Sequence, residues 1–200
     1  MSWTRLGFII ISIGILSACS FLSPVKVETP TKYMINTIPP VPSKKTHKLT
    51  LLVQTPETQP TFNTTQMAYS IRPYQVAYFS KNQWAETPAE MFAPLLVRTL
   101  QKTHFFRAVV TPPFLGRPDY ILSTQILDLQ QDFTHYPALL RLTINVQLIR
   151  FSSNQVIASQ FFNEQQPMMY RTPYSGVIAA NRATENILRK MAQFCLHHLR

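Results

Sequence analysis

Leu140-Arg141-Leu142-Thr143-Ile144-Asn145-Val146-Gln147-Leu148 alternates without a break between apolar and polar side chains. Successive side chains of a strand point to opposite faces, so this period of two predicts a strand with one dry and one wet face. Ser152-Ser153-Asn154 follows as a turn, and Gln155 to Phe162 returns as the second arm of a hairpin. Upstream, Asp119 to Leu129 reads as a longer strand and Phe106 to Val110 as a short one stopped by Pro112-Pro113. Downstream, a helix from about Tyr174 to His198 carries an apolar stripe through Val177, Ala180, Ile187, Met191, Phe194 and Cys195. A second helix starts at Thr87-Pro88-Ala89-Glu90, where Thr87 caps, Pro88 takes the first helical position and Glu90 completes a capping box. Phe92, Leu95, Leu96, Thr99 and Leu100 fall on one face of it, and Pro94 should kink it. Short strands are expected at Lys32–Asn36, Lys48–Gln54, Met67–Ile71 and Gln75–Phe79, with a polar stretch at 55–66 and an exposed loop at Ser80-Lys81-Asn82-Gln83. The fold class is α+β: an antiparallel or mixed sheet, with a short central helix and a long C-terminal helix packed on one face.

The chain has 200 residues, 46% hydrophobic and 14% charged, with a mean hydropathy of −0.02, which excludes a wholly disordered chain and leaves room for one domain. Four glycines (Gly7, Gly14, Gly116, Gly176) cannot write a P-loop, a dinucleotide-binding fingerprint or a Gly-x-Ser-x-Gly elbow. If this protein takes part in ATP-driven work, another subunit binds the nucleotide.

Residues 1–18 read as a lipoprotein signal peptide: a short n-region with Arg5, then eleven residues from Leu6 to Leu16 dominated by Ile, Leu and Phe. A helix that crosses a bilayer needs about 20 residues, so this run is too short to span. It ends in Leu16-Ser17-Ala18-Cys19, which resembles a bacterial lipobox, and Cys19 would receive diacylglycerol and an N-acyl chain. Ser20, not aspartate, follows, which resembles the default signal for export to the outer membrane. Each buried methylene is worth about 0.8 kcal/mol, so several acyl chains anchor almost irreversibly where one is marginal. Residues 19–30 are the lipidated N-terminus and a Pro-containing tether, and 31–200 form the domain.

Cys195 is then the single remaining cysteine, and no intramolecular disulfide is possible in the mature chain. Cys195, His197 and His198 sit together, but on a helix only Cys195 and His198 share a face, so a core cysteine beside a solvated helix end is the expectation and no metal is. Asp128 and Asp132 near His135 are the one grouping that suits hydrolysis, yet no serine elbow accompanies them. No enzymatic activity and no cofactor are expected beyond the covalent lipid. The formal charge is +10, about +9 once Arg5 leaves, and Lys44, Lys45 and Lys48 form the only tight basic group. No nucleic-acid-binding signature accompanies it, so anionic headgroups or an acidic partner are the targets a basic surface would serve. Tyr78, Phe79, Lys81, Asn82 and Trp84 cluster before the first helix as a candidate partner interface, although a core position is the expectation for Tyr78 and Trp84.

Tyr78-Phe79-Ser80-Lys81-Asn82-Gln83-Trp84-Ala85-Glu86-Thr87-Pro88, followed by Leu95, Leu96 and Leu100, resembles the ABC-type transport auxiliary lipoprotein family, which includes the lipoprotein subunit of the paraquat-inducible membrane-integrity transporter. The lipobox, the early strand with Tyr33 and the long C-terminal helix agree with it, over roughly Thr31 to Phe194. The resemblance implies a periplasm-facing, outer-membrane-anchored accessory subunit. Its partner would be the MCE-domain protein of an inner-membrane ABC transporter, in lipid traffic between the membranes, and a self-associating ring would suit a symmetric tunnel. It supplies no catalytic residues. The rivals are a plug or pilotin for an outer-membrane barrel or secretin, and a lipoprotein hydrolase built on Asp128, Asp132 and His135.

Overall fold

The alternating stretch forms the middle of three long neighbouring strands. The computed structural model describes residues 29–43 and 45–199; the signal peptide, Cys19 and Lys44 lie outside the described residues. In chain order the elements are β1 (Thr31–Tyr33), β2 (His47–Val53), β3 (Glu57–Thr58), β4 (Gln66–Ser70), β5 (Ala77–Trp84), α1 (Pro88–Lys102), β6 (Phe106–Val110), β7 (Tyr120–Asp132), β8 (Leu139–Arg150), β9 (Gln155–Pro167) and α2 (Pro173–His198). A 3-10 turn, Pro60–Phe62, lies between β3 and β4.

The strands form one mixed sheet organised by β7. One edge of β7 pairs antiparallel with β8 from Tyr120↔Arg150 to Asp132↔Leu139, and β8 pairs antiparallel with β9. The other edge is shared in succession by β2 (at Tyr120–Leu122), β3 (at Gln125 and Ile126) and β4 (at Gln130–Asp132), all parallel. β6 extends the sheet from β2, while β5 and then β1 extend it from β4. A bulge between Ile126 and Asp128 lets β7 keep Leu129 on the same side as Leu142, and leaves Asp128, Gln130 and Asp132 on the opposite face with Arg141.

The dry face is the one the alternation predicts. Leu140, Ile144, Val146 and Leu148 have no measurable exposure, while Arg141, Thr143, Asn145 and Gln147 face the other way and are half-buried. The two helices cover that dry face and touch each other. All five predicted stripe residues of α1, and all six of α2, are buried. Phe162 of β9 meets Phe194 of α2 edge-on, with ring centres 6.0 Å apart. Burying a Leu or Ile side chain is worth about 1.5–3 kcal/mol, so this layer dominates the stability of the fold. At the start of α1, Glu90 accepts hydrogen bonds from the Thr87 amide (2.9 Å) and hydroxyl (2.7 Å), which tie the cap to the first turn. The helix runs unbroken through Pro94, which sits on its exposed side.

Several elements differ from their predicted extents. β1 is three residues long, not five: after Tyr33 the chain leaves the sheet and runs along α2, where Asn36 donates its amide to the Asn181 side chain at 2.9 Å. β5 continues through Ser80–Gln83, where a loop is expected, because its flanks find backbone partners in β4 and β1. The polar stretch at 55–66 holds β3 and the 3-10 turn, and β7 and β9 run on to Asp132 and Pro167.

Candidate functional site

Of the five residues proposed as a partner interface, the sheet turns some outward and some inward. Tyr78 is exposed on β5, and its hydroxyl donates to the Thr61 carbonyl oxygen at 2.8 Å. It is therefore not the core residue its sequence context allowed. Phe79 points to the opposite face, between Tyr69 (4.4 Å between ring centres) and Phe133 (6.3 Å). Lys81 is exposed, and Asn82 is half-buried and paired by register with Thr31. Trp84 is buried at 3% exposure, its amide donating to the Thr65 carbonyl at 2.7 Å. Trp84 thus supports this strand from the core and makes no surface of its own. β1 covers β5 only at Asn82–Trp84, so among the described residues Ala77–Ser80 have no strand on that edge. Unpaired edge backbone of this kind can accept a strand from another chain.

Asp128, Asp132 and His135 do come together, around a residue that sequence reasoning missed. Arg141, one strand over, donates from Nε (2.9 Å) and Nη2 (2.6 Å) to Asp128 Oδ2, and its Nη1 lies 3.4 Å from Asp132 Oδ2. Gln130 donates to Asp128 Oδ1 at 2.9 Å, the Thr134 amide to Asp132 Oδ1 at 2.8 Å, and His135 Nδ1 lies 3.2 Å from Asp132 Oδ2. Burial pushes the Asp128 carboxyl above its usual value, and Arg141 offsets that only in part. Burial alone would raise Asp132 too, but the Thr134 bonds and the neighbouring His135 outweigh it and hold Asp132 below the usual range. Both carboxylates are engaged by donors from Arg141, Gln130 and Thr134. The nearby Ser70 hydroxyl donates to the Arg72 carbonyl oxygen at 2.8 Å, and the Thr134 hydroxyl, which donates to Asp132 Oδ1, lies 3.0 Å from His135 Nδ1. The signal that could have found Arg141 is the register: it lies opposite Gln130, between the two aspartates.

Cys195 is fully buried, and burial pushes its thiol up to about 12. His197 and His198 are exposed at the helix end. Among the described residues no group of three His, Cys, Asp or Glu side chains is placed to hold a metal ion. Among the described residues, no helix is long and apolar enough to cross a membrane.

The family model for the ABC-type transport auxiliary lipoprotein component matches residues 33–192. The chain belongs to that family. This auxiliary lipoprotein is similar in fold to protein XCC0632 from Xanthomonas campestris, with a TM-score of 0.77 at 19% identity over 84% of this chain and 95% of that one. It is also similar to an uncharacterized protein of known structure (TM-score 0.66, 13% identity, 83% and 98% covered). A third similar structure is hypothetical protein CT253 from Chlamydia trachomatis (TM-score 0.53, 9% identity, 76% and 98% covered). At these identities the likeness concerns the fold alone. No curated protein sequence matches the chain. The family points to a non-enzymatic role for the auxiliary lipoprotein.

Proposed function

We propose that this auxiliary lipoprotein is anchored in the outer membrane through lipid on Cys19 and serves, facing the periplasm, as an accessory subunit of an MCE-type ABC transport system. The single observation that carries the reading is the match of residues 33–192 to the transport auxiliary lipoprotein component. In this reading the protein does no chemistry. It receives or braces the periplasmic end of an MCE tunnel and so supports lipid passage between the membranes and envelope integrity.

The docking surface is the β5 strand: Tyr78, Lys81 and Asn82 meet the partner, with Phe79 and Trp84 holding the strand from behind. Tyrosine is favoured at the centre of interfaces because it combines a large apolar ring with a hydroxyl. Several copies arranged around a symmetric tunnel would present the same surface repeatedly, which is the reason to expect a homo-oligomer. Membrane fractionation tests the anchoring half: wild-type protein should sediment with the outer membrane, and Cys19→Ser should release it to the soluble periplasm. Wild-type protein sedimenting with the inner membrane would overturn the assignment. A plug or pilotin for an outer-membrane barrel or secretin predicts the same fractionation, and differs in the partner captured.

A further inference from the structure

The register of the sheet brings three connections to one end of the domain. Ser70 pairs with Asp132, Asp132 with Leu139, and Leu139 with Pro167. The segments that follow or join these strand ends, 71–76, 133–138 and 168–172, therefore emerge side by side. Backbone bonds tie them together: the Phe133 amide donates to the Ser70 carbonyl and the Met168 amide to the Ala138 carbonyl, each at 2.8 Å. Arg171 Nη2 donates to the Phe133 carbonyl at 2.8 Å, with the guanidinium 5.0 Å from the Phe133 ring centre.

This end exposes several large apolar side chains. Tyr74 and Tyr136 are open to solvent at 108% and 96%, and Ile71, Met169, Tyr170 and Tyr174 are exposed around them. Tyrosines mixed with aliphatic side chains and arginine are the composition of a bilayer headgroup belt, where one end of each ring is apolar and the other wet. The charge agrees. Arg72, Arg171 and His135 are exposed here, while the acids, Asp128 and Asp132, are buried and engaged by Arg141, Gln130 and Thr134. The net positive rim complements anionic headgroups.

The chain direction points the same way. β5 leaves the first of these loops at Ala77 and runs away from them, and β1 lies parallel to it with Thr31 opposite Asn82. The polypeptide before Thr31 therefore enters from the loop side. Five residues separate Ala77 from Asn82, about 17 Å at strand rise. Ser20–Pro30 can span at most about 40 Å, which is ample to put Cys19 at the level of the loops.

We propose that this loop end is a lipid-contacting surface: Tyr74, Tyr136, Tyr170 and Met169 enter the headgroup layer of an anionic bilayer, and Arg72 and Arg171 bind its phosphates. The domain then stands on the membrane with the Phe151–Asn154 turn farthest from it. The inference rests on the reading of Cys19 as the anchor, and goes beyond it by fixing which end meets the lipid.

The test uses the mature protein, its acylation at Cys19 verified by mass spectrometry, in vesicles of phosphatidylethanolamine and phosphatidylglycerol carrying nitroxide-labelled acyl chains. A bimane dye is placed at Tyr136→Cys or at Ser153→Cys; the native Cys195 is buried and stays unlabelled. The dye at 136 should lose most of its emission to the lipid quencher while the dye at 153 loses none. Equal quenching at both positions, or none at 136, would overturn the proposal. A protein seated on these loops instead would shield the 136 dye only when that protein is added, with no quenching by lipid, and that too would overturn it.

If Cys19 proves unacylated the anchoring reading fails on its own, and the loop surface is then judged by flotation of the chain from residue 19 onward carrying Cys19→Ser. That chain keeps the whole core, whose first member is Ile35. It should float with anionic vesicles and not with phosphatidylcholine, and Tyr74→Ser with Tyr136→Ser should abolish flotation; no flotation of the parent chain would overturn the proposal.

Discussion

Arg141 stands between two carboxylates that the sheet has largely withdrawn from water. Its own side chain is partly exposed (39%), whereas the Asp128 and Asp132 side chains are not (12% and 3%). Removing it as Arg141→Met leaves two buried anions facing each other, and breaking a buried pair costs about 3–5 kcal/mol when fully enclosed. Partial exposure of Arg141 reduces this to about 2 kcal/mol, a fall of roughly 4–8 °C in Tm for a domain of this size, readable by far-UV circular dichroism. The pH dependence follows from the directions of the shifts. Asp132 is held low, and so is Glu164, where burial is outweighed by bonds from Lys190, Asn186 and Gln166. Groups with depressed folded values contribute stability above their unfolded value, about 4, and lose it as pH falls through the folded value. Tm should therefore drop as pH falls from about 5 to about 3, and Asp132→Asn or Glu164→Gln should each shrink the drop. Asp128, raised by burial, works with the opposite sign, so Asp128→Asn should not shrink it. The Cys195 thiol, pushed up to about 12, should resist iodoacetamide at pH 8 in the native protein and react once urea unfolds it.

Each long element owes its position to one stripe of side chains. Ile144→Ala and Leu148→Ala, both on the dry face of β8, should cost about 2–5 kcal/mol in urea denaturation, and Thr143→Ala on the half-buried face well under 1 kcal/mol. Equal losses at the two faces would contradict the one-sided core. The same stripes were legible in the amino-acid sequence because period two and period 3.6 are imposed by burial itself: β8, α1 and α2 all read correctly from them. β5 was legible only in part. Ser80-Lys81-Asn82-Gln83 carries no apolar alternation, since its strand conformation comes from backbone pairing with neighbours distant in sequence. β1 was over-read for the converse reason. Ile35 is apolar because it packs against the helices, its amide 3.5 Å from the Met91 sulfur, not because it sits in the sheet. Around the carboxylates, the proximity of Asp128, Asp132 and His135 could be seen in the chain, but Arg141 enters through the β7–β8 register and the bulge, which local pattern does not encode.

At the scale of the whole molecule, the fold gives this auxiliary lipoprotein two ends and, among the described residues, several open strand edges, at β1, β6 and β9 and along Ala77–Ser80 of β5. One end gathers exposed tyrosines and arginines, and the chain enters β1 from that side. The β5 edge, with Tyr78 and Lys81, is the surface proposed for the partner, and the loop end is the one proposed for lipid. Photo-cross-linking residues placed at Tyr78 should capture a partner that the same residue at Ser153 does not. Capture at Ser153 alone would move the docking surface to the opposite end. The central claim, service to an MCE-type transporter, is tested most directly by affinity purification of the full-length protein from gently cross-linked envelopes in mild detergent, with partners identified by mass spectrometry. The account predicts recovery of an MCE-domain protein together with its inner-membrane permease. Recovery of an outer-membrane barrel or secretin with neither of these would contradict it.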